Sequence, residues 1–308
     1  MSPPPRTATT TPRTIMPITA TPITATAITR ASPRRPRTAM IIRAAIIPTT
    51  TPIMRMTTIM TTITVAPMTA IIPARLMDAP AAEPPGFAEL PLLVWLSPAF
   101  PVGAFAYSHG LEWAAEAGDV VDAATLDAWL ADLLRFGAPR SDAVLFACAF
   151  RAVRDADWRE LGDVNGLAVA LAGSAERRLE TVAQGGAFVS AMRAAWPCPA
   201  LARLPAANEP VAYPVAVGAA AAGHGLALDI ALPAFVVSLA ANLVSAAVRL
   251  GAIGQTDGQK TLAGILPEVR RLAREAAGAG LDDLGSCAFR SDIAAIRHET
   301  QYSRLFRS

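Results

Sequence analysis

The run Ile230 to Val248 is almost wholly apolar over nineteen residues, and it limits the possible folds more than any other stretch. A segment of this length either spans a bilayer or forms the central helix of an all-α protein, which is apolar on every side. Pro233, Asn242 and two serines interrupt the run, and no belt of Trp or Tyr flanks it as expected at a membrane interface. The sequence therefore favours a buried helix, and a membrane-associated helical protein remains the alternative.

The chain from residue 90 onward is predicted to be all-α. Apolar residues recur at helical spacing from Thr125 to Phe136, where Gly137 and Pro139 end the pattern, and no alternating strand pattern with turn signals occurs. We predict one bundle-like domain of about ten helices over residues 90–297. The predicted core faces include Leu126, Trp129, Leu130, Leu133 and Leu134 in that helix, and Leu179, Val182, Ala183, Phe188 and Met192 in the long helix opened by Ser174. Predicted helix caps are Ser141, Asp157 and either Thr256 or Asp257.

Residues 1–77 have a different composition from the rest of the chain. They contain no Asp, Glu, Gly or aromatic residue and consist almost entirely of Thr, Ile, Pro, Ala, Met and Arg. Such a segment buries too little apolar surface to offset its ordering entropy, so we predict a disordered extension, followed by a linker over residues 78–89. Its arginines and lack of acids also fit an organellar transit peptide, although its prolines and absence of an amphipathic period do not.

A third explanation of this segment is a wrongly assigned start. Codons that read Thr-Ile-Met-Thr give His and Asp when the frame shifts by one base, so the stretch 56–64 is what a His/Asp-rich tract would yield out of frame. We therefore hypothesise that Met77 is the true start.

The extension carries nine of the 27 basic residues and none of the 25 acidic ones, so the remainder has 18 minus 25, a net charge of −7. An acidic body argues against a nucleic-acid partner, whose binding needs a basic surface.

The stretch Ser97 to Trp113 concentrates prolines, glycines and aromatic residues. Pro98 and Pro101 predict that the preceding helix ends near Ser97, and Gly103 predicts a bend. We predict a second helix over residues 107–117, with a polar side formed by Ser108, His109, Glu112 and Glu116. From the residues alone this is a helix-turn-helix corner.

The same stretch carries a resemblance to a known family. Phe100-Pro-Val-Gly-x-Phe-x-Tyr-Ser-His-Gly-Leu-Glu112 resembles the opening signature of the F-class urease accessory proteins. Four more motifs follow in order: residues 180–185, residues 213–218, Gly254-Gln-Thr-Asp-Gly-Gln259, and the closing stretch 298–308. The resemblance covers the chain from about residue 90 to its last residue. It implies a non-catalytic helper that inserts nickel into apo-urease.

Residues typical of catalytic or metal sites are sparse. The three cysteines and three histidines are scattered without the spacing of a zinc site, and no P-loop motif occurs. We expect no cofactor, and no disulfides, which favours a cytoplasmic protein; Cys148 is predicted to be a core thiol. A helical hydrolase built on Ser108 and His109 is the less favoured alternative, because neighbouring residues on one helix do not have the geometry of a catalytic triad.

The resemblance also implies partners and contact residues. A homodimer would hold the D/H-class accessory protein through one surface and the nickel-carrying GTPase of the G class through another, and deliver both to apo-urease. Glu112 and Arg249 are expected to face the GTPase, and we add Gln255 and Gln259 from their position after the apolar helix. The closing stretch has residue types common in binding hot spots, so we predict that it orders on the D/H-class protein. Its predicted contact residues are His298, Glu299, Tyr302, Arg304, Leu305 and Phe306.

Cys287 has two interpretations. A lone thiolate holds nickel only weakly unless a two-fold axis brings a second copy beside it, so Cys287 could line a nickel path between subunits. The favoured alternative is a small buried residue chosen for packing.

Overall fold

The structure is a computed structural model that describes residues 89–205 and 209–308. The predictions for residues 1–77, and for all of the predicted linker except Glu89, lie outside the described residues. Within the described ranges there are eleven α-helices and no strand, which confirms the all-α prediction. The helices are α1 (Leu90–Trp95), α2 (Leu111–Glu116), α3 (Ala123–Phe136), α4 (Ala138–Arg154), α5 (Trp158–Ala170), α6 (Ala175–Ala195), α7 (Pro199–Arg203), α8 (Tyr213–Gly223), α9 (Leu228–Arg249), α10 (Gln255–Gly278) and α11 (Phe289–His298). Short 3₁₀ helices cover Ala104–Ala106 and Leu281–Asp283.

Helix starts follow local capping chemistry at some positions and not at others. Asp157 caps α5 as predicted, since its carboxylate accepts the Glu160 N–H at 2.9 Å. The Ser141 cap is wrong: α4 begins three residues earlier because Pro139 fits the first turn of a helix, and the Ser141 hydroxyl donates to the Gly285 carbonyl. The prediction for α10 is also wrong, since that helix already begins at Gln255 without a side-chain cap.

The core is formed by α4, α8 and α9. Helix α8 is buried along almost its whole length, and a Cβ at Gly218 would lie 2.5 Å from the carbonyl oxygen of Phe146 in α4. Only glycine permits that approach of the two backbones. The Phe146 ring packs on Phe235 of α9 with centroids 5.1 Å apart. The predicted core face of α3 is confirmed, as all five of its residues are buried.

Helix α9 contains the long apolar run. Among the described residues it is the only helix long and apolar enough to cross a membrane, and 56% of its most apolar stretch is buried inside the protein. Its burial against α4 and α10 fits the interpretation as a core helix.

Helix α6 departs from the predicted core face. Phe188 and Met192 are buried as expected, whereas Leu179 and Ala183 are exposed. The first half of the helix instead buries three polar residues, which are Glu176, Glu180 and Gln184. That part of the prediction was wrong because the helix packs on polar groups there.

The corner before α2 also differs from the prediction. The helix begins at Leu111 rather than at Tyr107, because His109 and Gly110 have positive φ values of 55° and 76° and lie outside the helix. A Cβ on Gly110 would lie 2.5 Å from the backbone nitrogen of Ala295 in α11. This glycine therefore lets α11 lie directly against the start of α2.

Candidate functional site

A cluster of buried polar residues lies where α2, α6 and α11 meet. We call it the docking cluster, because residues 298–308, the terminal segment, lie on it. Its members come from the corner before α2, from α2 itself and from the first turns of α6. They are Ser108, His109, Glu112, Glu176 and Glu180, together with Arg177, whose side chain is 13% exposed.

Glu112 makes the most contacts with the terminal segment. One carboxylate oxygen accepts the Leu305 N–H at 2.6 Å, and the other accepts the Phe306 N–H at 2.9 Å and lies 3.0 Å from Nε2 of His298. The side chain is only 8% exposed. These three contacts cover the carboxylate of Glu112, so it lies beneath the terminal segment.

His298 and Arg304 connect the terminal segment to α6. The His298 ring is completely buried, and its Nδ1 lies 2.6 Å from a Glu176 carboxylate oxygen. The other Glu176 oxygen accepts a hydrogen bond from Arg304 at 2.6 Å. Glu299 also contacts α6, because its carboxylate accepts the Ala175 N–H at 2.9 Å. The terminal segment thus contacts its own chain through these side chains, and its ordering on the D/H-class protein stays a prediction.

The last residues pair with backbone near the corner. Arg307 donates its N–H to the Ala106 carbonyl at 2.7 Å, and both the N–H and the hydroxyl of Ser108 donate to the Ser308 carbonyl. The Ser308 hydroxyl donates to Glu180 at 2.9 Å. Ser108 is wholly buried and its hydroxyl is occupied, so this arrangement gives a hydrolase substrate no access to it.

The inner part of the cluster is a charged network. His109 Nε2 lies 2.7 Å from Glu180, and Arg177 pairs with Glu180 and, at 3.6 Å, with Asp142. Burial alone would raise the pKa of Glu180, but the nearby charges of Arg177 and His109 outweigh it and lower the pKa to about 2. Burial raises the pKa of Asp142 despite the opposing charge of Arg177. Asp142 and Arg177 line a cavity of about 340 Å³ between α4, α6 and α11.

Several side chains of the terminal segment point outward. Tyr302 is fully exposed and Leu305 is 63% exposed, whereas Phe306 is buried. Arg249, at the end of α9, lies over the Phe306 ring with its guanidinium carbon 4.4 Å from the ring centroid, and donates to the Phe105 carbonyl. Arg249 is itself exposed, so the residues predicted for two different partners meet around Phe306.

Three other predicted residues are not part of the docking cluster. Gln255 and Gln259 are exposed on the first turns of α10. Cys287 is exposed and donates its N–H to the Phe136 carbonyl at 2.8 Å, so its interpretation as a buried packing residue was wrong. Cys148 is buried as predicted, and burial raises the pKa of its thiol. Residues 89–205 and 209–308 contain no group of three His, Cys, Asp or Glu side chains that could hold a metal ion.

The buried polar residues of α6 were not among the predicted site residues, although Glu180 and Gln184 lie in one of the matching motifs. Glu176, Glu180 and Gln184 recur every four residues and share one helix face, which is a visible signal. A polar face of this kind usually faces solvent, so the sequence alone does not indicate that it is buried.

Comparison with known proteins supports the resemblance found in the motifs. The UreF family model matches residues 120–266. A urease accessory protein UreF from Xanthobacter autotrophicus is 58% identical over 220 residues, which cover 71% of this chain and 90% of that protein. Proteins of the same name from Methylorubrum populi and Azorhizobium caulinodans are 54% and 50% identical, over 71% and 75% of this chain and 98% and 99% of their own length. The chain therefore belongs to the UreF family of urease accessory proteins.

Proposed function

We propose that this protein is a cytoplasmic, non-catalytic scaffold for nickel insertion into apo-urease. In this proposal a homodimer binds the D/H-class accessory protein and the nickel-carrying GTPase together and presents both to apo-urease. The observation that carries the proposal is the docked terminal segment. It exposes the side chains of Tyr302 and Leu305, while its backbone is held by Glu112. An exposed Tyr and an exposed Leu on one fixed segment have the character of a binding surface.

The D/H-class protein is proposed to bind the outer side of the terminal segment. Of the six residues predicted for that contact, Tyr302 and Leu305 offer exposed apolar area, and Arg304 offers a partly exposed charge. His298 and Phe306 are buried and act by holding the segment in place. Glu299 does so as well, through its bond to the Ala175 N–H.

The GTPase is proposed to bind beside the end of α9. Arg249, Gln255 and Gln259 are exposed there and offer a guanidinium and two amides to a partner. Glu112 lies beneath the terminal segment, so its proposed effect on the GTPase is indirect, through the position of Leu305 and Phe306.

Cys287 is proposed to line a path for nickel between the two subunits. Cys287 is exposed, as a residue lining a path between two subunits would be. A single thiolate holds nickel transiently, and a two-fold axis would add the thiolate of the second copy.

The test is capture of the purified D/H-class and GTPase proteins, separately and together, by the full chain. We expect a Tyr302→Ala, Leu305→Ala variant to lose the D/H-class protein and an Arg249→Glu variant to lose the GTPase. The matched control is Phe289→Ala, Ile293→Ala, which removes exposed apolar side chains from α11 and should bind both partners normally. Capture of neither partner by the unmodified chain would refute the scaffold function.

A further inference from the structure

His298 has an environment that restricts its protonation state. The ring is completely buried, Nδ1 lies 2.6 Å from Glu176 and Nε2 lies 3.0 Å from Glu112. A neutral imidazole has one N–H donor and one lone pair, whereas an ionised carboxylate only accepts. With a neutral ring, one of the two short contacts would bring a lone pair against a carboxylate oxygen without a proton between them.

The charges around the His298 ring also favour its protonated form. Glu112 on α2 and Glu176 on α6 face the ring directly, and Arg304 of the terminal segment pairs with Glu176. Glu116, one turn after Glu112, accepts a hydrogen bond from the side-chain amide of Gln301. A charged ring balances the two carboxylates together with Arg304, while a neutral ring would leave an excess negative charge in a buried site, which is strongly unfavourable.

We propose that His298 is held as the imidazolium and is the positioning residue that couples docking of the terminal segment to uptake of a proton. The charged ring donates to Glu112 and Glu176 at once and so joins α2 and α6. Glu112, fixed in this way, accepts the Leu305 and Phe306 N–H groups. The proposal concerns the chain by itself and does not depend on the partners proposed above.

The sign of the pH dependence follows from this coupling. The docked segment requires the charged ring, whereas the released segment leaves the ring free to lose its proton. Docking therefore binds a proton and must weaken as the pH rises. Where one proton is taken up, the docking equilibrium changes by about tenfold per pH unit.

The first experiment measures the ring itself. The chain has only three histidines, so nitrogen NMR of the ¹⁵N-histidine-labelled full chain resolves each ring, and loss of one set of signals in His298→Gln assigns His298. We expect both ring nitrogens of His298 to be protonated wherever the Leu305 and Phe306 amides are protected from exchange. A neutral His298 ring at a pH where those amides are protected would overturn the proposal.

The second experiment separates the proton coupling from simple packing. In Glu176→Gln the amide oxygen still accepts from Arg304, and its NH₂ group donates to Nδ1, so a neutral ring is satisfied. We expect the protection factors of the Leu305 and Phe306 amides to fall about tenfold per pH unit in the unmodified chain at alkaline pH and to become nearly independent of pH in this variant.

The matched control is Glu299→Gln. It neutralises another carboxylate that contacts α6, but Glu299 bonds to the Ala175 N–H and not to His298. This variant should keep the pH dependence of the unmodified chain. An equal pH dependence in Glu176→Gln and the unmodified chain would show that His298 is only a packing residue.

Discussion

The contact between α4 and α8 and the docking cluster are both buried, but different interactions hold them. At the first, Gly218 lets two helix backbones meet and Phe146 fills the space beside them, so shape complementarity dominates. At the second, Glu112 and Glu176 accept hydrogen bonds from a segment that has no regular secondary structure beyond His298. Packing energy is spread over many atoms, whereas the docking cluster depends on a few charged groups. Loss of one core side chain should therefore lower the stability of the whole helical domain, whereas loss of one charged group should only release the segment from the docking cluster.

The largest effect is expected in the helical core. Phe146 is completely buried, so Phe146→Ala should lower the free energy of unfolding by about 3–5 kcal/mol, because it removes apolar contacts and leaves a cavity. Urea unfolding followed by circular dichroism measures this. Phe289, which is 72% exposed on α11, is the control, and Phe289→Ala should change stability by less than about 0.5 kcal/mol. Equal losses in the two variants would contradict the assignment of the core.

The next effect is a local one at the docking cluster. Glu112→Ala leaves His298 and two backbone N–H groups without their acceptor, and such a loss from a buried pair typically costs about 3–5 kcal/mol. Because the segment can detach, we expect it to be released while the helix content stays nearly unchanged. Faster trypsin cleavage after Arg304 and Arg307 is the measurement.

Glu116 supplies the control for that variant. It is the same residue type one turn later on α2, but it is exposed and accepts a single hydrogen bond from the terminal segment, that of Gln301. Glu116→Ala should leave cleavage of the segment slow. If Glu112→Ala instead abolishes helix content, the docking cluster is part of the cooperative core, and the contrast between the two regions fails.

The two regions also differ in how far the sequence predicts them. The core could be anticipated, because helical periodicity reports burial of apolar residues such as Leu126 and Leu130. The docking cluster could not, because Glu112 and Glu176 have the sequence pattern of solvated residues and their partners lie more than a hundred residues away. The helix start at Leu111 was missed for a related reason: Gly110, with its positive φ, lies directly against Ala295 of α11, a contact distant in sequence.

Arg249 lies at the edge of the docking cluster, and its effect should be smaller. Its guanidinium lies over the Phe306 ring at an exposed site, where a cation–π contact contributes about 0.5–1 kcal/mol. Arg249→Ala should therefore raise trypsin cleavage of the terminal segment only a few-fold. Arg154, which pairs with the adjacent Asp155, is the control, and Arg154→Ala should have no effect on cleavage. Full release of the segment in Arg249→Ala would mean that this contact, and not Glu112, controls docking.

The smallest effect is expected at the surface pair between α3 and α10, where the pH response should oppose that of the docking cluster. Hydrogen bonds from Arg135 and Arg271 lower the pKa of Glu268 from 4.5 to about 2. Because this pKa is lower in the folded state, its stabilisation is complete above pH 4.5 and is lost as the pH falls towards about 2. Docking through His298 should instead weaken as the pH rises.

Glu268→Gln tests this last difference. At neutral pH the variant should lose about 1 kcal/mol or less, since Arg135 is half exposed and solvent screens the pair. Near pH 3 the difference between the variant and the unmodified chain should shrink, because Glu268 is then almost fully protonated in the unfolded chain. Urea unfolding at the two pH values measures this, and Glu275→Gln, which breaks a more exposed contact of Arg271, is the control. If the difference between Glu268→Gln and the unmodified chain is the same at both pH values, Glu268 stabilises through packing and not through its charge. The surface pair would then show no loss of stability at acid pH to set against the alkaline weakening of the docking cluster.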